Sequence, residues 1–475
     1  MRLRYKMLTA TLALATLAGG PCVAPTASAQ GGTAITFVNS GQQLGQGVSF
    51  NPTLGDIDGD SDLDLFIPNY FTACKIWKND GSGYFTNTGQ NFGTTSGHGV
   101  DLGDLDGDGD PDAFLAFLEG SCWVLLNNGT GQFTDTGQRL GVAGDNPGFV
   151  SLADLDGDDD LDAAVLNYEH PNRIWLNDGA GVFTAGQSLG DSSSREMAVG
   201  DLDSDGDVDI FMRMGVCGCT VWLNNGSATF TDTGQRLGDT DGWGEVGVGD
   251  LDGDGDLDAF VANQAHGNSV WLNDGTGSFA AGNSYPGDGT EKLDLGDIEG
   301  DGDLDAFTTN HLVTNKVWLN DGGADFTPID SLFGTGVASI TAGDVDSDGD
   351  LDVIVGRLQG YGPTSVYFNT TPSAGVGGHG GLPAAGLLAL KGPNPFDAAT
   401  EISYEVPSAG QVSLKLLDVQ GRAIRTLVGG PHTSGAYSIR IGGDTLAGGA
   451  YFCRLELRES SGNVVVETRK MIHIR

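Results

Sequence analysis

Short alternating segments recur along residues 36–370. EMAVG (196–200) and EVGVG (245–249) place an apolar side chain at every second position, and DAFVAN (258–263) follows the second of them after a polar loop. Period-two alternation over short runs marks strands with one buried face. A third kind of segment ends in Trp-Leu-Asn-Asp-Gly, as at 271–275 and 318–322. Asn, Asp and Gly tolerate positive φ, so this ending predicts a tight hairpin. A fourth, short segment carries a Phe, as in GQFTDTGQ (131–138). Each unit is therefore expected to hold four strands, A to D from the inside outward.

The polar loop between A and B repeats seven times. It reads DIDGDSDLD at 56–64, DLDGDGDPD at 104–112, DLDGDDDLD at 154–162 and DLDSDGDVD at 201–209. It continues as DLDGDGDLD at 250–258, DIEGDGDLD at 297–305 and DVDSDGDLD at 344–352. The starts are 48, 50, 47, 49, 47 and 47 residues apart. Short strands at this period predict an all-β fold, a seven-bladed β-propeller. The seventh unit stops at Val366-Tyr367-Phe368-Asn369 without a D strand, whereas TFVNSGQQLG (36–45) matches FTNTGQNFG (85–93). Pairing 36–42 with the seventh blade would close the ring and remove an open edge.

The flanks read differently. Arg2, Arg4 and Lys6 precede a short apolar stretch and a small-residue site at Ala27-Ser28-Ala29, the pattern of a secretory signal over 1–29. Lipidation at Cys22 is the alternative, with Gly19-Gly20-Pro21 a poor match before it. No later segment is apolar enough to cross a bilayer. The propeller is expected over 30–370, a Gly/Pro-rich linker over 371–390, and a second domain over 391–475. EISYEV, VSLKLLDV, AYSIRI, YFCRLEL and NVVVET predict a small Ig-like β-sandwich there. Charge separates the two parts: residues 30–372 hold 10 Lys/Arg against 56 Asp/Glu, and 391–475 hold 10 against 8. Such acidity disfavours nucleic acid as a partner. The five cysteines after the signal are too few for a disulfide scaffold. Cys217-Gly218-Cys219 reads either as a metal or redox pair or as small residues at a strand end.

Carboxylates on alternate positions repel one another unless a cation holds them. Loop positions 1, 3 and 5 are acidic, position 6 is usually Gly, and position 9 is Asp. EF-hand loops use the same logic, and oxygen-only ligands on a flexible loop favour Ca²⁺. The expected metal residues are Asp56, Asp58, Asp60, Asp62 and Asp64 in the first loop, and Asp104, Asp106, Asp108, Asp110 and Asp112 in the second. The third offers Asp154, Asp156, Asp158, Asp160 and Asp162, and the fourth Asp201, Asp203, Asp205, Asp207 and Asp209. The fifth offers Asp250, Asp252, Asp254, Asp256 and Asp258, and the sixth Asp297, Glu299, Asp301, Asp303 and Asp305. The seventh offers Asp344, Asp346, Asp348, Asp350 and Asp352. In each, position 7 is expected to ligate through its backbone carbonyl, and the apolar position 8 to point into the blade. Up to seven ions, one per blade, would follow.

These loops resemble FG-GAP/VCBS repeats, the units of the integrin α-chain propeller and of many bacterial surface proteins. The resemblance covers 36–370 and implies a calcium-bound propeller used in adhesion or glycan binding. The tail is similar to the C-terminal sorting domain of the type IX secretion system. It matches at Asn394-Pro395-Phe396, Gly421-Arg422, Gly449-Ala450-Tyr451-Phe452 and Arg469-Lys470-Met471. It departs at Arg440-Ile441-Gly442-Gly443-Asp444, where that family has a Trp-Asp pair; a plain Ig-like module is the alternative. The resemblance implies export by that machinery and a place outside the cell or on the outer-membrane surface of a Gram-negative bacterium.

A–B and C–D connections share one face, whereas B–C and D–A loops share the other and vary between blades. Variable loops are where binding concentrates. Candidate ligand residues there are Tyr70, Tyr168, His170, His266, Tyr361, Trp123 and Trp243, the last able to stack on a sugar ring. Trp77, Trp175, Trp222, Trp271 and Trp318 share one repeat position and are expected in blade cores. Glu196 and Glu245 begin A strands on neighbouring blades and are weak catalytic candidates as a carboxylate pair. A salt-bridged rim with Arg195 and Lys292 is the plainer reading of them. Three functions remain open: a glycan- or protein-binding surface propeller, a polysaccharide lyase or hydrolase on the same ring, and a passive surface-layer component.

Overall fold

The repeat folds as seven four-stranded antiparallel sheets, one per acidic loop. The computed structural model describes residues 35–371 apart from short segments at 46, 95, 119, 143, 169, 191–193, 216–217, 239–242, 287–289, 310–314, 331–332, 335 and 359–360. It also describes 388–390, 399–406, 410–417, 423–442, 449–459 and 464–473. The expected signal segment and Cys217 lie outside these residues.

Blade 1 is Thr53–Gly55, Asp64–Ile67, Cys74–Lys78 and Thr86–Phe92. Blade 2 is Gly97–Gly103, Asp112–Phe117, Cys122–Leu126 and Thr134–Asp135, and blade 3 is Pro147–Ala153, Asp162–Asn167, Asn172–Leu176 and Thr184–Leu189. Blade 4 is Ser194–Gly200, Asp209–Met214, Gly218–Leu223 and Thr231–Asp232, and blade 5 is Val246–Gly249, Asp258–Val261, Asn268–Asn273 and Phe279–Tyr285. Blade 6 is Lys292–Gly296, Asp305–Thr309, Lys316–Asn320 and Phe326–Asp330. Blade 7 takes Val337–Gly343, Asp352–Arg357 and Ser365–Asn369 from its own repeat and Phe37–Asn39 from the start of the chain. The register of that borrowed strand is Phe37 opposite Asn369 and Asn39 opposite Tyr367.

The A–B register is uniform. The residue before each loop pairs with position 9, as in Gly55 with Asp64, Gly249 with Asp258 and Gly343 with Asp352. That residue is glycine in every blade but the third, which has Ala153, and it leaves room for the next blade. A Cβ on Gly249 would stand 2.5 Å from Leu304 Cδ1, and one on Gly103 would stand 2.4 Å from Leu161 Cδ1. The position-8 leucines thus point inward, but toward the neighbouring blade, and the cores lie between blades. Leu251, Phe260 and Val270 of blade 5 cluster with Ala306, Trp318 and Phe326 of blade 6. Of the five repeated Trp residues, Trp318 is fully buried, and the other four are half-buried against such clusters.

Two sets of side-chain amides tie blades together, one at every junction and the other at five of the seven. The turn asparagine at the end of strand C donates its Nδ2 to the position-2 carbonyl of the preceding blade's acidic loop. Asn127 reaches Ile57 O at 2.8 Å, Asn177 reaches Leu105 O at 2.8 Å, and Asn224 reaches Leu155 O at 2.8 Å. Asn273, Asn320 and Asn369 repeat this with Leu202, Leu251 and Ile298, and Asn79 reaches Val345 O of blade 7 at 2.7 Å. The glutamine after Thr-Gly, or Ser-Gly in the borrowed strand's continuation, works on the outer rim. Gln90 Nε2 donates to Gly131 O at 2.6 Å while its Oε1 accepts Phe133 N–H at 2.9 Å, and Gln42 does the same for Gly83 and Phe85 of blade 1. Blade 7 also joins blade 1 on the inside, where Thr341 Oγ1 donates to Pro52 O at 2.8 Å.

The chain divides into two compact units between residues 375 and 376, inside the Gly/Pro-rich stretch. The second unit has a three-stranded sheet of Leu388–Leu390, Ala399–Val406 and Gly435–Gly442, in that order. Its other sheet runs Ala423–His432, Gly410–Leu417, Gly449–Glu459, Val464–His473. Ile402, Tyr404, Val406 and Ile441 of the first sheet pack against Val412, Leu414, Leu416, Leu455 and Leu457 of the second, the core of an Ig-like sandwich. Every regular element among the described residues is a strand, and none of them is a helix long and apolar enough to cross a membrane.

Candidate functional site

The acidic loops fold around their own carboxylates. Position 1 caps the turn: Asp56 Oδ1 accepts Gly59 N–H at 2.8 Å and Asp60 N–H at 3.1 Å, and its Oδ2 accepts Ser61 N–H at 2.9 Å. Asp297 caps Gly300, Asp301 and Gly302 in the same way. Positions 4 and 6 take left-handed backbone, with φ of 77° at Gly59 and 92° at Gly109. Ser61 and Asp159 hold position 6 at φ 77° and 70°, a conformation that favours glycine. Position 9 is buried at the strand end. Asp64 Oδ1 accepts Asn79 N–H at 2.7 Å, and Asp112 Oδ1 accepts Asn127 N–H at 2.7 Å. Position 7 turns away: the Asp62 carboxylate lies over Gly81 of the C–D turn, 2.5 Å from where a Cβ would stand.

Position 3 is left incomplete. Asp58 Oδ1, Asp106 Oδ1, Asp156 Oδ1, Asp203 Oδ1, Glu299 Oε2 and Asp346 Oδ1 are buried oxygens with no hydrogen-bond partner. A buried acceptor without a donor is costly. Carboxylates converge on it: Asp56, Asp58 and Asp64 can each offer an oxygen within 4.8 Å of the others, as can Asp154, Asp156 and Asp162, and Asp201, Asp203 and Asp209. Asp104, Asp106 and Asp108, and Asp250, Asp252 and Asp254, form comparable groups. Burial, with neighbouring carboxylates adding to it, pushes Asp64 and Asp352 up to about 7 and Asp305 to about 8. Orphaned oxygens, an oxygen-only donor set and mutual repulsion fit a hard divalent cation. The first loop has a further contact: Lys78 Nζ stands 2.5 Å from Asp58 Oδ2 and 2.6 Å from Thr130 O of blade 2.

The opposite face is aromatic. Phe71 meets Tyr70 at 4.8 Å between ring centroids, Tyr70 meets Phe50 at 6.1 Å, and Phe50 stacks on His98 at 4.7 Å. His98 meets Tyr168 edge-on at 5.6 Å, and Tyr168 meets Trp243 at 6.1 Å. Arg195 lies over the Trp243 indole at 4.1 Å. This chain of rings joins residues of blades 1, 2 and 3 to the loop that leads into blade 5, and it exposes Phe71 (40%) and Trp243 (44%). Beside it, inner-strand residues fill the ring. Lys292 Nζ donates to Glu245 and, at 2.9 Å, to Asn51 Oδ1, spanning from blade 6 to blade 1 past blade 7. Glu245 Oε2 also accepts Leu293 N–H at 2.6 Å. Burial depresses the Lys292 ammonium's pKa, but Glu245 and Glu196 outweigh it and hold it above its ordinary value. Glu196 is 4% exposed, its Oε1 has no hydrogen-bond partner, and burial with Glu245 nearby raises its pKa well above the carboxylate range. Burial and the Lys292 charge lower His98 to about 4.

The structure thus brings Tyr70, Tyr168 and Trp243 into one aromatic chain. The other candidates stand apart from it. Trp123 packs on Phe117 at 4.6 Å and is covered by Arg139 at 3.6 Å. His170 Nδ1 is held by Gly144 O at 2.6 Å, with Asp145 at 3.6 Å. His266 lines a cavity of about 170 Å³ with Arg213, Asn263 and Trp271. Tyr361 is 52% exposed and covers Gly336. Sequence reasoning passed over Phe50, in a connection that follows no repeat pattern, and His98, at the start of blade 2's inner strand. It also took the turn asparagines only for their φ, although their fixed place after the C-strand residues was a signal of a shared partner.

No curated protein matches the chain. Among solved structures, BBS1N in its complex with ARL6DN aligns at 11–12% identity with TM-scores of 0.47 and 0.49, covering 70% of this chain and 96% of that one. The extracellular domain of BT3049 of B. thetaiotaomicron, described as a hybrid two-component system, aligns at 10% identity and a TM-score of 0.46. That alignment covers 93% of this chain and 58% of the larger one. The FG-GAP-like repeat model matches at 56–115, 104–165, 160–212, 250–308 and 297–355. These matches span more than half of the chain and each runs from one acidic loop to the next, so the protein belongs to the FG-GAP-like repeat family.

Proposed function

We propose that this is a secreted, calcium-stabilised binding propeller, displayed at the cell surface and recognising a glycan or a protein through its variable-loop face. The observation that carries the reading is the contrast between the two faces. One is near-identical from blade to blade and given over to carboxylates and turn amides. The other holds the continuous chain of rings from Phe71 to Trp243, with Trp243 exposed. Exposed aromatics rimmed by polar loops mark recognition surfaces, and a flat indole suits the apolar face of a sugar. The oxygen-only loops suit calcium, one ion per blade, and the signal-like start of the chain supports export. The C-terminal sandwich is read as a type IX sorting domain that delivers the propeller to the outer surface. Support comes from its Ig-like core and from Gly449–Tyr451 and Arg469–Met471 falling within its last two strands.

The test is a glycan-array and cell-binding screen of the full mature chain, with calcium and with chelator, beside Trp243→Ala. Calcium-dependent binding that Trp243→Ala weakens at least tenfold is the expected result. Binding unaffected by the substitution would remove the aromatic face from the reading. A catalytic role remains the second reading, because burial and the neighbouring Glu245 raise the Glu196 pKa, as in a carboxyl kept for acid catalysis, and Glu245 stands beside it on the next blade. Binding is preferred because Glu196 is 4% exposed and Glu245 is already committed to Lys292 and Leu293. Turnover of a bound polysaccharide that Glu196→Gln abolishes would reverse the preference.

A further inference from the structure

The first acidic loop differs from the others in what reaches it. Strand C of blade 1 ends Trp77-Lys78-Asn79, where the corresponding residue before the turn asparagine is Leu126, Leu176, Leu223, Leu272, Leu319 or Phe368 in the other blades. That residue fills a slot against a small residue of the next blade, a glycine except at Ala228 and Ala324. A Cβ on Gly181 would stand 3.1 Å from Leu126, and one on Gly277 would stand 2.8 Å from Leu223. The Lys78 stem fills the same slot, its Cε 2.5 Å from where a Gly131 Cβ would be. Its ammonium then continues to Asp58 Oδ2 and to Thr130 O, at 2.5 and 2.6 Å. Asp58 is the position-3 carboxylate: its Oδ1 is a buried oxygen without a partner, like those of Asp106, Asp156, Asp203 and Asp346, but among the described residues only in this loop does an ammonium hold the other oxygen. None of the other described ion pairs involves an acidic loop. Position 6 of this loop is Ser61 in left-handed backbone, a second departure from the pattern.

We propose that Lys78 is a resident cation of the first loop. Its ammonium neutralises Asp58 and ties blade 1 to the turn of blade 2 without metal. The same charge repels an incoming dication that must share Asp58, and at a few ångströms this repulsion weakens calcium binding at the first loop by about tenfold or more. The proposal rests on the reading of the other loops as calcium sites. Its consequence is a ring in which the blade beside the closing seam keeps its inter-blade strut when calcium is scarce.

The experiment is calcium titration of the full mature chain by calorimetry and flow dialysis, comparing wild type with Lys78→Leu, Lys78→Met and Lys78→Arg. The leucine restores the residue of blades 2 to 6, the methionine keeps the stem, and the arginine keeps the charge. Lys78→Leu and Lys78→Met are expected to gain one tight site, or to tighten the weakest site about tenfold, with Lys78→Arg like wild type. In chelator, hydrogen exchange in Cys74–Lys78 and in the 127–131 turn is expected to stay slow in wild type and to quicken in Lys78→Met. Unchanged stoichiometry and unchanged weakest affinity in both neutral variants would overturn the proposal. Absence of calcium binding by every protein, wild type included, would overturn the calcium reading itself and the proposal with it. Lys78→Met serves if Lys78→Leu fails to fold.

Discussion

Asp294 and Asp101 lie on inner strands, and each accepts two backbone N–H groups, one from its own neighbour and one from the next blade. Asp294 accepts Ala342 N–H at 2.7 Å, and Asp101 accepts Leu152 N–H at 2.9 Å. Burial nevertheless pushes their carboxyls up to about 7 and about 6 from an ordinary 3.8. Each is a raised folded-state pKa, so folding binds a proton between pH ~4 and these values. The stability they contribute is present in acid and is lost as pH rises through about 6 to 7. With calcium saturating, the wild-type Tm is expected to fall between pH 5.5 and 8. Asp294→Asn, which cannot ionise, should flatten that slope. Thermal melts of the two proteins across this range check it; parallel slopes would show that Asp294 does not titrate in the window.

At the scale of the element, the borrowed strand Phe37–Asn39 supplies the outer edge of blade 7, and its continuation carries Gln42 to blade 1. Removing residues 30–45 would expose the Ser365–Asn369 edge and unseat Phe37 from Phe307 and Phe333. Loss of a buried Phe alone typically costs about 3–5 kcal/mol. The truncated chain is expected to lose cooperative unfolding or to aggregate through the open edge, which calorimetry and light scattering detect. The strands, the hairpins and this swap were legible because each follows a local pattern repeated seven times. The amide clasps were not, because Asn273 meets Leu202 and Gln90 meets Gly131 only after the ring has formed. Lys78 was visible in the sequence as an exception, but the direction of its ammonium depends on packing against the next blade. Trp123 shows the converse: its break from the repeat suggested a ligand contact, while its indole is covered by Arg139.

For the whole molecule, repulsion among the loops sets the dominant condition. The chain carries a formal charge of −41, and more than half of its 64 acidic residues lie in the seven loops. If each loop binds calcium with Kd ~0.1 mM and outside calcium is ~2 mM, each site adds about 1.8 kcal/mol. Several such contributions equal the net stability of an ordinary domain. Excess chelator is therefore expected to lower the Tm of the propeller by tens of degrees or to unfold it, while the C-terminal sandwich, which has no such loop, keeps its transition. Differential scanning calorimetry separates the two; a propeller transition indifferent to chelator would mean that the loops are held without metal.

The swapped strand also bears on the order of events in the life of the chain. Thr36 and Thr371, joined by a hydrogen bond across 335 residues, lie at opposite ends of the propeller sequence and are made far apart in time. The first strand to emerge is the last to find its partner, so no nascent chain can complete the ring until nearly all of the propeller has been made. Under the proposed export, that delay keeps the chain threadable while it is being moved, and the ring locks only at its destination.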